Sequence, residues 1–227
     1  SSQDTSSLGL QAWYAHLDAQ GFSLLNYGNG IQANNAVLEG STFSVRDGKG
    51  TGISLTDSSL LVDTLNTKVY PDAVVLESNS ELHVSNWVAA THGTPLSVSS
   101  SSSAIIRDFQ PLNTPLGSSD ALGDGTLLYG GSSSAVISVS SSNYLEETPV
   151  TFTDLTGNPI QATITVHGFI LQSDENGAAD LPLLNQGSPV EVTLAGAGVV
   201  VTLFGSTIGQ SVQVPVIPVG DWTIPTG

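Results

Sequence analysis

Acidic side chains are the residues of this sequence whose type and spacing first suggest chemistry. Asp18, Glu39 and Glu77 each follow a leucine and precede a run of small or polar residues. Paired carboxylates of this kind carry out glycoside hydrolysis and, with Ca²⁺, take part in polysaccharide lysis. If the three acids share one face, they form a candidate catalytic site. The alternative is a solvated acidic face.

Basic residues argue against a lyase. Such enzymes generally need an Arg or Lys beside an acidic sugar, and the chain has four Lys and Arg against 20 Asp and Glu. We expect Arg107 to pair locally with Asp108. A net charge of -16 repels phosphate backbones and anionic lipid, so no nucleic acid partner is expected.

Metal ligands are sparse. The four histidines lie in unrelated segments without ligand spacing, so no transition-metal site is expected. Asp120, Asp124 and Asp174 lie in Gly-containing segments and are candidates for Ca²⁺, although plain turns explain them too. No other cofactor is expected.

Two aromatic residues are candidates for carbohydrate binding. Tyr70 and Trp87 lie near predicted turns, and aromatic faces stack on sugar rings. We predict a shallow glycan groove there. The alternative is that both rings are buried anchors.

A recurring pattern must position these residues. An apolar residue is followed by four or five small or polar residues and then by apolar–any–apolar. The lead residues, spaced 21, 17, 21, 22 and 31 apart, are Leu17, Leu38, Leu55, Leu76, Val98 and Tyr129. Self-similarity near 21–22 residues with alternating apolar positions predicts the coils of a β-solenoid.

Residues 8–147 resemble the right-handed parallel β-helix superfamily of tailspikes, autotransporter passengers and pectate-lyase-like enzymes. The resemblance is one of architecture and implies a single-stranded parallel β-helix of about six coils over residues 1–147. Apolar residues at helical spacing also allow a short capping helix within Leu8–Ala19. A Pro- and Gly-rich segment at about 107–126 is predicted to project as a loop.

Stacked coils predict ladders of outward side chains. One ladder contains Asp18, Glu39 and Glu77. A second ladder becomes apolar along the axis and comprises Ser23, Ser44, Leu61, His83, Ile105 and Val136. We expect its apolar end to be covered by the 107–126 loop, by the C-terminal sandwich or by another subunit, with Leu61, Ile105 and Val136 as interface residues, unless a one-residue register slip occurs.

The pattern changes after Pro149. Strand, Asp154-Leu-Thr-Gly-Asn-Pro, strand, Asp174-Glu-Asn-Gly and strand form a succession of hairpins. Residues 148–219 resemble the carboxypeptidase-regulatory, transthyretin-like β-sandwich family, in which the module is generally a spacer or stalk. Residues 220–227 are predicted to be a tail or linker. The predicted fold class is therefore all-β.

Three functions stay open at this point. The β-helix resemblance implies a structural or adhesive protein of a cell or virion surface, with a surface glycan or protein receptor as partner. The alternatives are a polysaccharide-degrading enzyme and a self-assembling filament or surface-layer subunit. The chain lacks Cys and a long apolar run, so neither disulfides nor membrane insertion is expected.

Overall fold

The computed structural model describes residues 7–90, 93–112, 118–131, 135–185, 189–195, 199–206 and 208–214. These residues are nearly all β-strand, which confirms the all-β prediction. The described ranges contain no helix that is long and apolar enough to cross a membrane. The chain divides into two compact units, Ser1–Leu145 and Glu146–Gly227.

The first unit alternates short and long strands. The strands are β1 (Leu8–Trp13), β2 (His16–Leu25), β3 (Asn29–Asn34), β4 (Val37–Arg46), β5 (Thr51–Thr56), β6 (Ser59–Lys68), β7 (Asp72–Glu77), β8 (Glu81–Ala90), β9 (Thr94–Val98), β10 (Ser103–Leu112), β11 (Ala121–Gly131) and β12 (Ile137–Thr153). Short strands pair in parallel with short strands, and long strands with long ones. The result is a parallel β-solenoid of about five turns, which confirms the predicted solenoid, although about six coils were expected.

In the last coils a single strand continues both the short-strand and the long-strand rows. β11 pairs with β9 through its first residues and with β10 through its later ones. β12 then pairs with β11 along two stretches separated by a register shift.

Two segments differ from their predictions. Leu8–Ala19 forms the first coil and no helix, and the predicted loop is strand at 107–112 and 121–126, while 113–117 lie outside the described residues.

The long strands turn a corner. In β6, Leu60 and Val62 are buried, and so are Leu65 and Thr67. Two consecutive residues, 63 and 64, are less buried than the pairs on either side of them. Because side chains alternate along a straight strand, this change of phase means that each long strand lines two faces of the coil. The short strands form the third.

A stack of buried serines connects successive coils. The backbone N–H of Ala36 donates to Ser58 Oγ at 3.0 Å, the N–H of Ser58 to Ser80 Oγ at 3.2 Å, and the N–H of Ser80 to Ser102 Oγ at 3.1 Å. Ser80 Oγ in turn donates to the Glu77 carbonyl at 2.6 Å. Each hydroxyl therefore accepts a hydrogen bond from a buried backbone N–H of the preceding coil. A buried N–H that is left unpaired costs free energy.

Three residues at another corner share a left-handed backbone. Asn26, Asp47 and Val69 have φ values of 64°, 61° and 60°. Each donates its N–H to a carbonyl of the following coil, at 3.0, 2.8 and 2.7 Å. Asn and Asp tolerate this conformation, whereas a β-branched residue is strained there. Val69 therefore stores strain that its two counterparts avoid.

The second unit has its own core. Its strands are the end of β12, β13 (Thr163–Val166), β14 (Phe169–Gln172), β15 (Ala178–Leu184), β16 (Pro189–Ala195), β17 (Val199–Phe204) and β18 (Gln210–Gln213). An antiparallel sheet has the order β14-β13-β16-β17, and β12 pairs with β15 and β18. Phe152, Ile164 and Val192 share one apolar cluster. Of the predicted module, residues 215–219 lie outside the described residues, as does the predicted tail 220–227.

The serine stack predicts the effect of Ser80→Ala. The variant leaves the buried N–H of Ser58 unpaired, so the free energy of unfolding should fall by about 1–3 kcal/mol. Ser101→Ala is the matched control, because Ser101 Oγ accepts the exposed N–H of Asn79. Denaturant unfolding followed by tryptophan fluorescence measures both. Equal losses in the two variants would contradict the role of the stack.

The strained corner predicts that Val69→Asn stabilises the solenoid. Relief of the left-handed strain should raise the free energy of unfolding by about 1 kcal/mol. Val75→Asn, the same change within β7, should instead lower it, because Asn is unfavourable in strands. The same unfolding measurement compares the two, and a loss of stability at position 69 would refute the strain argument.

Candidate functional site

Two of the three predicted catalytic acids are neighbours. Asp18 on β2 lies in register with Glu39 on β4. His16 Nε2 lies 3.4 Å from Glu39 Oε2, and the side chain of His16 is 62% exposed and that of Glu39 42% exposed. Glu77 ends β7 on a different face, where it pairs with Thr56. The structure therefore brings together a pair of carboxylates and separates the third.

The outward column that begins with this pair becomes apolar. In order it contains Asp18, Glu39, Leu61, His83, Ile105 and Leu128. We call it the mixed column. The predicted apolar ladder was thus right from Leu61 to Ile105 and wrong at its ends. Ser44 belongs with Ser23 to a neighbouring column, and Val136 precedes β12.

The mixed column is only partly shielded. Leu61 is 39% exposed, and His83 and Ile105 are half-buried. The segment 107–112, expected to project as part of a covering loop, is instead strand in β10. Val136 is 50% exposed. An interface at Leu61, Ile105 and Val136 stays a prediction.

Tyr70 and Trp87 do not form a glycan groove. Both side chains are fully buried inside the solenoid. Trp87 Nε1 donates to Thr67 Oγ1 at 3.0 Å, and its ring centroid lies 5.0 Å from that of Phe109. The prediction of sugar stacking at these two rings is wrong, because they fill the core and present no face to solvent.

The Tyr70 hydroxyl is buried without a hydrogen-bond partner among the described residues. Its ring lies where a side chain at Gly48 would otherwise be, and it packs close to Gly52. Burial and the nearby charge of Asp47 raise the pKa of Tyr70 to about 12. Because both effects disfavour the phenolate, the group is a neutral core side chain.

Two of the three calcium candidates accept hydrogen bonds from backbone N–H groups, and the third is exposed to solvent. Asp174 Oδ1 accepts the N–H groups of Asn176 and Ala178 at 2.9 and 2.8 Å, and these bonds lower its pKa. Asp120 Oδ2 accepts the N–H of Val136 at 2.6 Å. Asp124 is exposed in β11. The described part of the chain holds no group of three or more His, Asp or Glu placed to bind a metal.

Asp154 caps a turn in the same way as Asp174. Its Oδ1 accepts the N–H groups of Thr156 and Asn158, both at 2.8 Å. Hydrogen bonds from the Thr156 and Asn158 side chains contribute most to lowering its pKa to about 2. These two aspartates therefore act as turn caps.

An array of hydroxyl and amide side chains occupies the face formed by the second halves of the long strands. Thr42, Thr64 and Asn86 form one outward column, and Ser44 and Asn66 belong to the next. We call these five residues the polar face. Neighbours are about 4.8 Å apart between coils and roughly 6.7 Å apart along a strand. The sequence shows this face only when residues 22 apart are aligned.

The buried tyrosine predicts a stability difference at high pH. The pKa of Tyr70 is higher in the folded protein than in the unfolded chain, so its burial does not change the free energy of unfolding below the unfolded pKa of 10.0. The free energy of unfolding then falls as the pH rises from 10.0 through about 12. Tyr70→Phe should fold, and its free energy of unfolding should fall less between those pH values. Tyr14→Phe, at an exposed position, is the control. Identical pH profiles for Tyr70→Phe and the parent would contradict the assignment.

Comparison with protein-family models, curated proteins and solved structures finds no match for this chain. The resemblance to β-helix proteins therefore rests on architecture. Membership of the transthyretin-like family stays a prediction.

Proposed function

We propose that this chain is a structural, adhesive protein of an extracellular surface, either of a cell or of a virion. Its solenoid holds the polar face flat against a surface glycan. The observation that carries the proposal is the in-register array of Thr42, Thr64 and Asn86 beside Ser44 and Asn66.

The chemistry of the polar face suits a neutral polysaccharide. Hydroxyl and amide groups both donate and accept hydrogen bonds, as sugar hydroxyls do. None of the five residues is charged. Arg46 and Lys68 occupy the next outward positions on β4 and β6, and Asp108 lies in register with Asn86, so charges of both signs border the face.

The architecture suits prolonged exposure outside the cell. Serine hydroxyls satisfy buried amides between coils, and no cysteine is present, so the solenoid needs no reducing or oxidising environment. Lys and Arg number four, which leaves few sites for trypsin-like proteases. A protein receptor is the alternative partner for the same face.

Glycan binding tests the proposal. The full chain should co-sediment with at least one member of a panel of insoluble neutral polysaccharides. Thr64→Ala/Asn66→Ala should weaken that binding roughly tenfold, because two hydrogen-bonding groups are removed. Gln32→Ala/Ser54→Ala, on the outward column of the short strands, is the matched control. Binding to no polysaccharide, or equal binding by both double variants, would refute the proposal.

An enzyme is the second candidate, favoured by the Asp18–Glu39 pair. Strands about 4.8 Å apart can place two carboxylates near the separation of about 5 Å that retaining glycosidases use. The pair lies on an open strand face, however, with Asp18 exposed and Glu39 half-buried. A site of this kind does not exclude water from a substrate.

Product formation separates the two candidates. The adhesive proposal expects no new reducing ends and no unsaturated sugars when the chain is incubated with the same panel. Turnover that Asp18→Asn and Glu39→Gln each abolish, while Asp63→Asn on an adjacent strand does not, would establish the enzyme instead.

A further inference from the structure

Two of the chain's four basic residues lie side by side at one border of the polar face. Arg46 ends β4, Lys68 ends β6, and the two residues are in register. Each lies two residues beyond Ser44 or Asn66 and therefore points to the same side of its strand. Both side chains are exposed. We call them the basic pair.

The positions around the basic pair carry no compensating charge. Leu25 lies in register with Arg46 on the preceding coil, and Ala90 with Lys68 on the following one. The adjacent column of the polar face holds serine and asparagine. Among the described residues, no ion pair involves either member of the basic pair.

Two acids near the basic pair have other contacts. Asp47 follows β4 and is half-buried. Burial and then the charge of Asp47 raise the pKa of Tyr70, which places this carboxylate near the buried ring. Asp108 lies two coils beyond the basic pair, and its Oδ2 accepts a hydrogen bond from Gln110 Nε2 at 2.6 Å. Neither carboxylate forms an ion pair with the two bases.

Two cations in register on neighbouring strands are unfavourable by themselves, because like charges directly opposite each other repel. The chain has 20 Asp and Glu against four Lys and Arg. Acidic partners are therefore abundant in the sequence, and yet none is paired with these two bases. A negatively charged group placed between the two side chains would remove the repulsion.

We infer that Arg46 and Lys68 bind an anionic group of the glycan, either a sulfate ester or a carboxylate. The inference rests on the proposed function, because the polar face holds the sugar units beside the basic pair. The Arg46 guanidinium can donate two parallel hydrogen bonds to an oxyanion, and the Lys68 ammonium adds a second positive charge. Sulfate and carboxylate both present oxygen acceptors that carry negative charge.

The glycan that fits this surface is neutral apart from scattered anionic groups. The hydroxyl and amide groups of the polar face suit neutral sugar units. A densely charged polyanion would be repelled by a chain of net charge -16, whereas a single anionic group contacts the basic pair alone. The columns of Ser44 and Arg46 are roughly 6.7 Å apart along the strand. A sugar unit bound on the polar face can therefore place its substituent on the basic pair.

Cross-linked dextran beads in three forms test the inference: unmodified, lightly sulfated and lightly carboxymethylated. At low salt the full chain should bind at least one charged form about tenfold more tightly than the unmodified form, because hydrogen bonds to charged groups are the stronger ones. Repulsion from the net charge of -16 acts in the opposite direction, so a preference reports a local site. The preferred form identifies the anionic group. Equal or weaker binding to both charged forms would overturn the inference.

Two double variants locate the preference. Arg46→Gln/Lys68→Gln should abolish it and keep binding to the neutral polysaccharide panel. Gln11→Glu/Gln32→Glu is the matched control, because these residues are exposed and in register on β1 and β3 and the net charge changes by the same amount. The control should keep the preference. Equal loss of the preference in the two double variants would contradict a site at the basic pair.

Salt dependence on the unaltered chain keeps the inference testable if the glutamine variant does not fold. The preference for the charged beads should disappear at about 1 M NaCl, where the Debye length is about 3 Å. A preference that persists there would overturn the inference. The proposed function fails separately, since it requires binding to a neutral polysaccharide, whereas this inference requires a difference between charged and unmodified beads.

Discussion

In-register stacking of parallel strands is the interaction on which the solenoid depends. Each coil satisfies its backbone by bonding to the coils beside it, so no coil is stable alone. The buried hydroxyls of Ser58, Ser80 and Ser102 extend this bonding into a turn, where the strand ladder stops. Left-handed residues at the other corner donate to the following coil in the same way. Strands and turns are thus held by one spacing of about 22 residues.

The same stacking separates the interior from the exterior. Inward positions hold large apolar side chains, and this explains why Tyr70 and Trp87 are core residues. Outward positions form columns whose chemistry changes along the axis, as the mixed column shows. The faces therefore differ in what they can bind. The polar face is uncharged and hydrogen-bonding, whereas the carboxylate pair of Asp18 and Glu39 is confined to the first two coils.

Period and alternation predicted the all-β fold and the solenoid, since both follow from which residues are apolar. They could not assign each lead residue to the right strand. Leu17 and Leu38 lie in long strands, whereas Leu55 and Leu76 lie in short ones. Both kinds of strand carry the same alternating pattern, so a local motif matches either. This ambiguity misplaced Glu77 on the ladder of Asp18 and Glu39.

Other features depend on contacts that no short segment reveals. Whether Tyr70 points inward depends on glycines of the two preceding coils, such as Gly30 and Gly52, that leave room for its ring. The residues within Leu8–Ala19 have helical spacing, but pairing with β3 and β4 makes them strands. Tertiary pairing overrides local preference at such positions.

The register of the stack is the central claim, and engineered disulfides test it most directly. The chain has no cysteine, so any crosslink reports only on the introduced pair. Ser44→Cys/Asn66→Cys places two thiols on directly opposed residues of β4 and β6, within the range that a disulfide spans. The account predicts that this pair oxidises within the monomer, while Ser44→Cys/Leu61→Cys keeps both thiols free. Efficient crosslinking of the second pair and none of the first would contradict it.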